Sequence, residues 1–256
     1  MDAPAPAGTT PTLIGVGVGP GDPDLITVKA LDALGRADVV LVPATDTGTD
    51  ETGRAEQVVL AACPGVAGRI ERVPFSMAQR QGVGARRLES WQASARAAEA
   101  AFARGAGTVA FATVGDPSVY STFSYLAAHV RAAVAGLEVQ VVPGITAMQA
   151  LAAASRIPLV EAQEVLTLVP VTAGLETVQA ALAHSDTVVA YKGGRHLPAL
   201  LDLVRGARPD AVGALGVDIG LPGQRVIALA DLGDTPEPYF STLLVAPART
   251  RTGGRL

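Results

Sequence analysis

The stretch FATVGDPSVYSTFSYL, residues 111–126, decides how the chain folds. It continues an apolar run, residues 108–113, that is typical of a buried strand, and it turns at Gly115-Asp116-Pro117. Apolar residues then recur at helical spacing, so Asp116 is expected to cap a helix that begins at Pro117. Such a turn is either ordinary capping or a ligand site, since α/β proteins bind ligands at the carboxyl edge of their sheets.

The same strand–turn–helix pattern occurs near the N-terminus, where a β-rich run at residues 12–18 leads into GPGDPDL. Asp22 or Asp24 is expected to begin the helix that follows. The glycines do not form a dinucleotide fingerprint, because Pro20 occupies the place of the third fingerprint glycine. No GxxxxGK[ST] motif occurs either, so the sequence disfavours both a nicotinamide oxidoreductase and a nucleotide hydrolase.

A third glycine turn, at residues 143–144, separates a predicted strand at residues 137–142 from a helix that begins near Thr146. Three strands therefore end in glycine turns that lead into helices. A turn of this kind leaves free N–H groups at the carboxyl edge of a sheet, where α/β proteins tend to bind ligands.

The helical pattern breaks at residues 156–158, which is the expected domain boundary. We expect two α/β domains: residues 12–156 with a largely parallel sheet, and residues 157–248 with a mixed sheet. Residues 1–11 and 249–256 are expected to be disordered tails.

Composition excludes several classes of protein. The net charge of −4 argues against a general nucleic-acid binder, and no apolar run is long enough to span a bilayer. The first residues do not resemble a signal peptide, and the single cysteine, Cys63, fits a reducing cytoplasm. Cys63 is expected to be a small buried hydrophobe rather than a nucleophile. The three histidines stand far apart, so no metal site is expected.

Arg80, Arg86 and Arg87 surround a glycine-rich loop just before a long amphipathic helix. One interpretation is a solvated start of that helix. The other is a site for an anionic ligand, because arginine at a helix N-terminus opposes the helix dipole and needs a separate reason to be there.

Five segments resemble the tetrapyrrole methylase family: GVGVGPGDPDLITVKAL, VGDPSVY, VPGITAMQA, VVAYKGGRHL and YFSTLLV. They occur in the family's order and cover nearly the whole chain. Members of that family transfer a methyl group from S-adenosylmethionine to corrin or sirohaem precursors. FATVGDPSVYSTFSYL and YFSTLLVAP are most similar to the branch that methylates C20 of precorrin-2 in cobalamin biosynthesis.

The resemblance implies two α/β domains with S-adenosylmethionine in the cleft between them, and a homodimer. Lys192 and Ile219 depart from other branches, which often have methionine and a small residue there. The implied cofactor contacts are Pro20, Val114, Gly115, Asp116, Val119, Thr146, Ala147, Lys192 and Ile219.

The substrate implied by the resemblance carries many carboxylates, which gives the three arginines an expected role in binding it. Tyr120 is the candidate for accepting the C20 proton, and its alternative role is that of a packed aromatic. Other functions remain open: methylation of the cobalt-bearing substrate, methylation at another tetrapyrrole position, or cofactor binding without catalysis.

Overall fold

The computed structural model of the protein describes residues 10–44, 52–74 and 85–249, with the backbone alone for residues 85–87. Most of both expected tails, and Arg80, lie outside these residues. The chain divides into two compact units, Met1–Thr146 and Ala147–Leu256. In the described ranges, no helix combines the length and the apolar character needed to cross a membrane.

The first unit contains a sheet of five parallel strands, as the sequence predicted. The strands are β1 (Thr12–Gly17), β2 (Val39–Ala44), β3 (Ile70–Pro74), β4 (Thr108–Thr113) and β5 (Glu138–Val142). Their spatial order is β3-β2-β4-β1-β5. The helices are α1 (Val28–Arg36), α2 (Arg54–Ala62), α3 (Ala85–Ala103) and α4 (Phe123–Ala133), with 3-10 helices at Pro23–Leu25 and Pro64–Arg69.

The central strands of this sheet are buried on both faces. Successive side chains of a strand point to opposite faces, so Val109 and Phe111 of β4 join one apolar cluster and Ala110 joins the other. A parallel sheet covered by helices on both faces needs apolar residues at every strand position. This requirement explains why β4 appears in the sequence as a continuous apolar run.

The starts of two helices differ from the predictions. Asp22 caps the 3-10 helix Pro23–Leu25 by accepting a hydrogen bond from Asp24 N, and α1 has its own cap, Thr27. The prediction that α4 begins at Pro117 with Asp116 as its cap is wrong, because α4 begins at Phe123. Asp116 uses its carboxylate elsewhere.

A short connector explains the late start of α4. Tyr120 has φ of 51°, a left-handed conformation that no α-helix can contain. Ser121 then bridges the connector: its Oγ donates to Thr113 Oγ1 at 3.2 Å and accepts from Phe123 N at 3.2 Å. The end of β4 and the start of α4 are thus joined through one hydroxyl group.

The second unit contains the mixed sheet that the sequence predicted. Its strands are β6 (Leu166–Pro170), β7 (Thr187–Tyr191), β8 (Val212–Val217), β9 (Arg225–Ala228) and β10 (Ser241–Ala246). Their order is β6-β7-β10-β8-β9; β6 and β7 are parallel and the other pairs antiparallel. The helices are α5 (Ala147–Ser155), α6 (Leu175–His184) and α7 (Leu197–Ala207).

The structural division lies before α5, whereas the boundary expected from the sequence lies after it. The reason is packing: Leu151 of α5 is fully buried in an apolar cluster with Val189, Ile219 and Leu244 of the second unit. Helical periodicity shows that α5 has an apolar side but does not show which sheet covers it.

Gly15 allows the first residue of α4 to lie against β1. A Cβ on Gly15 would lie 2.5 Å from two ring atoms of Phe123, which is itself buried. We expect Gly15→Ala to lower the free energy of unfolding by about 1–3 kcal/mol, the usual cost of overpacking a core. Urea unfolding measures this change.

The matched control is Gly35→Ala in the exposed part of α1, where a Cβ would meet no atom within 4 Å. There alanine should stabilise the protein by up to about 1 kcal/mol, because it favours the helix. Equal stabilities of Gly15→Ala and the wild type would contradict the proposed packing.

Candidate functional site

Three glycine turns meet at the carboxyl edge of the first sheet. They follow β1, β4 and β5, which are neighbours in the order β4-β1-β5. Because the strands are parallel, their carboxyl ends lie on the same edge. The turns comprise residues 17–21, 114–116 and 143–146, and together they form the candidate site.

The backbones of these turns are in direct contact. Gly115 N donates to Gly19 O at 2.7 Å. A Cβ on Gly17 would lie 2.6 Å from both Gly115 O and Gly144 N, and a Cβ on Gly144 would lie 2.8 Å from Gly17 Cα. These positions therefore require glycine for close approach of one turn to another.

The Asp116 carboxylate links two of the turns. One oxygen, Oδ2, accepts from Gly144 N at 2.9 Å, which joins the turn after β4 to the turn after β5. The other oxygen, Oδ1, accepts from Ser118 N at 2.7 Å and from the Ser118 hydroxyl. Only 7% of Asp116 is exposed. Asp116 therefore has a structural role, because its hydrogen bonds hold the two turns together.

Burial raises the pKa of Asp116, but the hydrogen bonds from the Ser118 hydroxyl, the Gly144 amide and the Ser118 amide outweigh burial and lower the pKa below 3.8. The group is thus ionised at neutral pH. Each carboxylate oxygen can accept about two hydrogen bonds, so Oδ2 retains capacity for one further donor.

Gly115 leaves space beside the backbone. Its φ of 74° is in the left-handed region, and the nearest heavy atom to a Cβ there, apart from chain neighbours, would be Thr146 Cα at 4.0 Å. A ligand can approach the main chain closely at such a position. The space beside Gly115 is the observation that best fits a small-molecule cofactor.

Tyr120 projects from the connector that follows Asp116. It is 43% exposed, and burial of the remainder raises the pKa of its phenol above 10.0. The phenol therefore keeps its proton at neutral pH. A neutral phenol can donate or accept a hydrogen bond but is a poor base.

Three of the predicted contact residues belong to the second unit. Ala147 is the first residue of α5, and Lys192 directly follows β7 with φ of 63°. Ile219 is 6% exposed, and its side chain packs over Gly216, where a Cβ would lie 2.6 Å from Ile219 Cγ1.

The turns at this sheet edge contain five of the predicted contacts, Pro20, Val114, Gly115, Asp116 and Thr146, and Val119 lies in the connector that follows Asp116. Arg86 and Arg87 lie in the first turn of α3, and Arg80 lies outside the described residues. Among the residues that the structure describes, no group of three or more His, Cys, Asp or Glu side chains could hold a metal ion.

Two serines beside this site, Ser118 and Ser121, were not predicted from the sequence. The spacing of Asp116 and Ser118 is that of a turn in which a carboxylate accepts from the amide two residues later. The signal was therefore present, but a helix cap and this turn begin with the same residue types.

Comparisons with known proteins agree with this architecture. The model of the family "Tetrapyrrole (Corrin/Porphyrin) Methylases" matches residues 12–234. The precorrin-2 C(20)-methyltransferase of Sinorhizobium sp is 38% identical over 91% of this chain and 94% of its own. The cobalt-precorrin-2 C(20)-methyltransferase of Salmonella typhimurium is 29% identical over 91% of this chain and 95% of its own.

A solved structure is similar in fold. It is uroporphyrin-III C-methyl transferase from Thermus thermophilus complexed with S-adenyl homocysteine. The TM-score is 0.64 at 22% identity, covering 92% of this chain and 97% of that one. At this identity, the likeness shows a shared fold.

The variant Asp116→Asn tests the structural role of the Asp116 carboxylate. An amide cannot accept hydrogen bonds at both ends, so at least one of the donors, Gly144 N or the Ser118 groups, loses its partner. We expect the free energy of unfolding at pH 7 to fall by about 1–3 kcal/mol, the cost of an unsatisfied buried group. Urea unfolding of both proteins from pH 7 to pH 3 measures this.

The pH dependence has a defined sign. Because folding lowers the pKa of Asp116, its stabilisation is complete above pH 3.8 and is lost as the pH falls through the lower, folded value. The difference between wild type and variant should therefore narrow below about pH 3.8. The exposed Asp24, changed to Asn, is the control. A difference that does not vary with pH would show that the carboxylate is not stabilised by these donors.

Proposed function

Because the chain belongs to the tetrapyrrole (corrin/porphyrin) methylase family, we propose that it transfers the methyl group of S-adenosylmethionine to C20 of precorrin-2 in cobalamin (vitamin B12) biosynthesis. The observation that carries the proposal is the 38% identity to a precorrin-2 C(20)-methyltransferase over 94% of that protein. The cluster of glycine turns adds a physical reason, since Gly115 leaves space beside its main chain in which a cofactor can lie.

The cofactor contacts proposed on this basis are the nine residues Pro20, Val114, Gly115, Asp116, Val119, Thr146, Ala147, Lys192 and Ile219. S-Adenosylmethionine carries ribose hydroxyls, an amino-acid group and a flat apolar adenine, and it supplies an electrophilic methyl group when bound. Gly115 supports the proposal through the space beside its backbone. Val119 and Ala147 supply apolar side chains suited to adenine.

Asp116 has a second proposed role beside its structural one. Its Oδ2 atom has room for one more hydrogen bond, which a hydroxyl or amino group of the cofactor can donate. The carboxylate is ionised at neutral pH because hydrogen bonds from the Ser118 hydroxyl, the Gly144 amide and the Ser118 amide lower its pKa. The cofactor and the Gly144 amide would thus donate to different lone pairs of the Asp116 carboxylate.

The chemical step demands little from side chains. A reduced tetrapyrrole is itself an electron-rich carbon nucleophile, so the protein has to align the reacting atoms and exclude water. Tyr120 is the first residue to test as the acceptor of the C20 proton. Its raised pKa makes a role in holding the substrate more suitable than a role as base.

A second candidate substrate is cobalt-precorrin-2. Relatives with each substrate in their names match nearly the whole chain, at 38% and 29% identity. The metal would enter as part of the substrate, so neither form requires a metal ligand from the protein.

We further propose a homodimer in the cytoplasm. The support is the resemblance to the family together with the single cysteine, which fits a reducing compartment. Size-exclusion chromatography with light scattering would measure the mass of the particle in solution.

Transfer of a labelled methyl group tests the function directly. Purified protein is incubated anaerobically with methyl-labelled S-adenosylmethionine and precorrin-2, with and without cobalt in the macrocycle. We expect label at C20, located by NMR, and the faster of the two reactions identifies the preferred substrate. Label at another carbon would be consistent with a tetrapyrrole methylase but would contradict the assignment to C20. Cofactor binding without transfer to either substrate would indicate a non-catalytic relative.

The proposed substrate-binding arginines have a separate test. Replacing Arg80, Arg86 and Arg87 by Gln should raise the KM for the tetrapyrrole by about tenfold or more, since each charge-assisted bond to a carboxylate contributes about 1.5–3 kcal/mol. The KM for S-adenosylmethionine should stay unchanged. Arg96→Gln, at an exposed position of the same helix, is the control. An unaltered tetrapyrrole KM would support the solvated helix start instead.

A further inference from the structure

The phenol of Tyr191 contacts the first turn of α5. Met148 is the second residue of that helix, and its N–H donates to Tyr191 Oη at 3.1 Å. The first N–H groups of an α-helix have no partner within the helix, so a side-chain oxygen that accepts from one of them fixes the helix start. Tyr191 performs this function from outside the helix.

Tyr191 is itself held firmly. It is the last residue of β7, and it pairs with Pro170 of β6 on one side and with Thr242 of β10 on the other. Its ring packs against the apolar cluster that contains Leu151 and Ile219. The hydroxyl therefore extends from a rigid strand end to the start of a helix.

The hydrogen bond joins two segments that carry predicted cofactor contacts. Ala147 directly precedes Met148, and Lys192 directly follows Tyr191. Lys192 is in the left-handed conformation, with φ of 63°, which a residue other than glycine adopts at a cost. A conformation of this kind persists only where the surroundings hold it.

The third contact of this unit belongs to the same assembly. Ile219 and Leu151 both pack over Gly216, where a Cβ would lie 2.6 Å from Ile219 Cγ1 and 3.0 Å from Leu151 Cδ1. Apolar packing thus holds the middle of α5 to the sheet, while the Tyr191 hydroxyl holds its start. Apolar contacts are not directional, so they restrict rotation and sliding of α5 on the sheet less than a directed hydrogen bond does.

We propose that Tyr191 is a positioning residue for S-adenosylmethionine, which acts by setting the start of α5 relative to Lys192. It need not touch the cofactor. This inference rests on the proposed function, because it assigns Tyr191 a part in binding the same methyl donor.

Tyr191→Phe removes the hydroxyl and keeps the ring. We expect the Kd for S-adenosylmethionine, measured by calorimetry, to rise about 3- to 10-fold, the range set by one net hydrogen bond. The KM for S-adenosylmethionine should rise equally, while kcat at saturation stays within about twofold of wild type, because the variant affects binding rather than alignment of the bound molecule.

The control is Tyr125→Phe, which removes the hydroxyl of a tyrosine on α4 that is 44% exposed. Its Kd should equal that of the wild type. Hydrogen exchange on the ligand-free proteins gives an independent readout: the Met148 amide should exchange faster in Tyr191→Phe, while the amide of Leu151, inside α5, should be unchanged.

The outcomes separate this inference from the proposed function. Wild-type protein that fails to bind S-adenosylmethionine would overturn the proposed function and this inference with it. Wild-type binding together with an unaltered Kd in Tyr191→Phe would overturn this inference alone. Faster exchange at both Met148 and Leu151 would show loss of the helix as a whole, which is a structural role and also contradicts positioning.

Discussion

The hydrogen bond from Gly144 N to the Asp116 carboxylate is the contact on which the first unit's sheet edge depends. It joins residues 28 positions apart and connects the turns that follow β4 and β5. The strand between them, β1, contributes the third turn, and Gly17 fits there only because it has no side chain. A buried carboxylate is costly unless it is hydrogen-bonded, so the turns and the charge stabilise one another.

Much of this arrangement could be predicted from the sequence. The apolar run that becomes β4, and the glycines that follow three strands, are local signals, and both proved sufficient for the fold class. The start of α4 could not be predicted in the same way. Asp116 precedes proline in a pattern typical of a helix cap, but its carboxylate is used by a distant amide and by Ser118. A local pattern does not reveal competition from a distant partner.

The second unit shows the same limit at the level of packing. The periodicity of α5 predicted a helix with an apolar side, yet the sheet that buries Leu151 is specified by contacts with Val189 and Leu244, far along the chain. For the same reason Tyr191 could not be predicted from the sequence as a partner of Met148. A tyrosine at the end of a β-rich run usually indicates only a half-buried strand position.

The proposed reaction would account for a candidate site made largely of main chain. A substrate that is already a carbon nucleophile needs alignment more than acid–base help, and alignment depends on the relative positions of turns. Glycines at positions 17, 115 and 144 let these turns pack closely, while Asp116 fixes them. Burial raises the pKa of Tyr120, so its phenol stays protonated at neutral pH and is a poor proton acceptor. Methyl transfer should therefore be more sensitive to changes that displace the turns than to loss of any one acid or base.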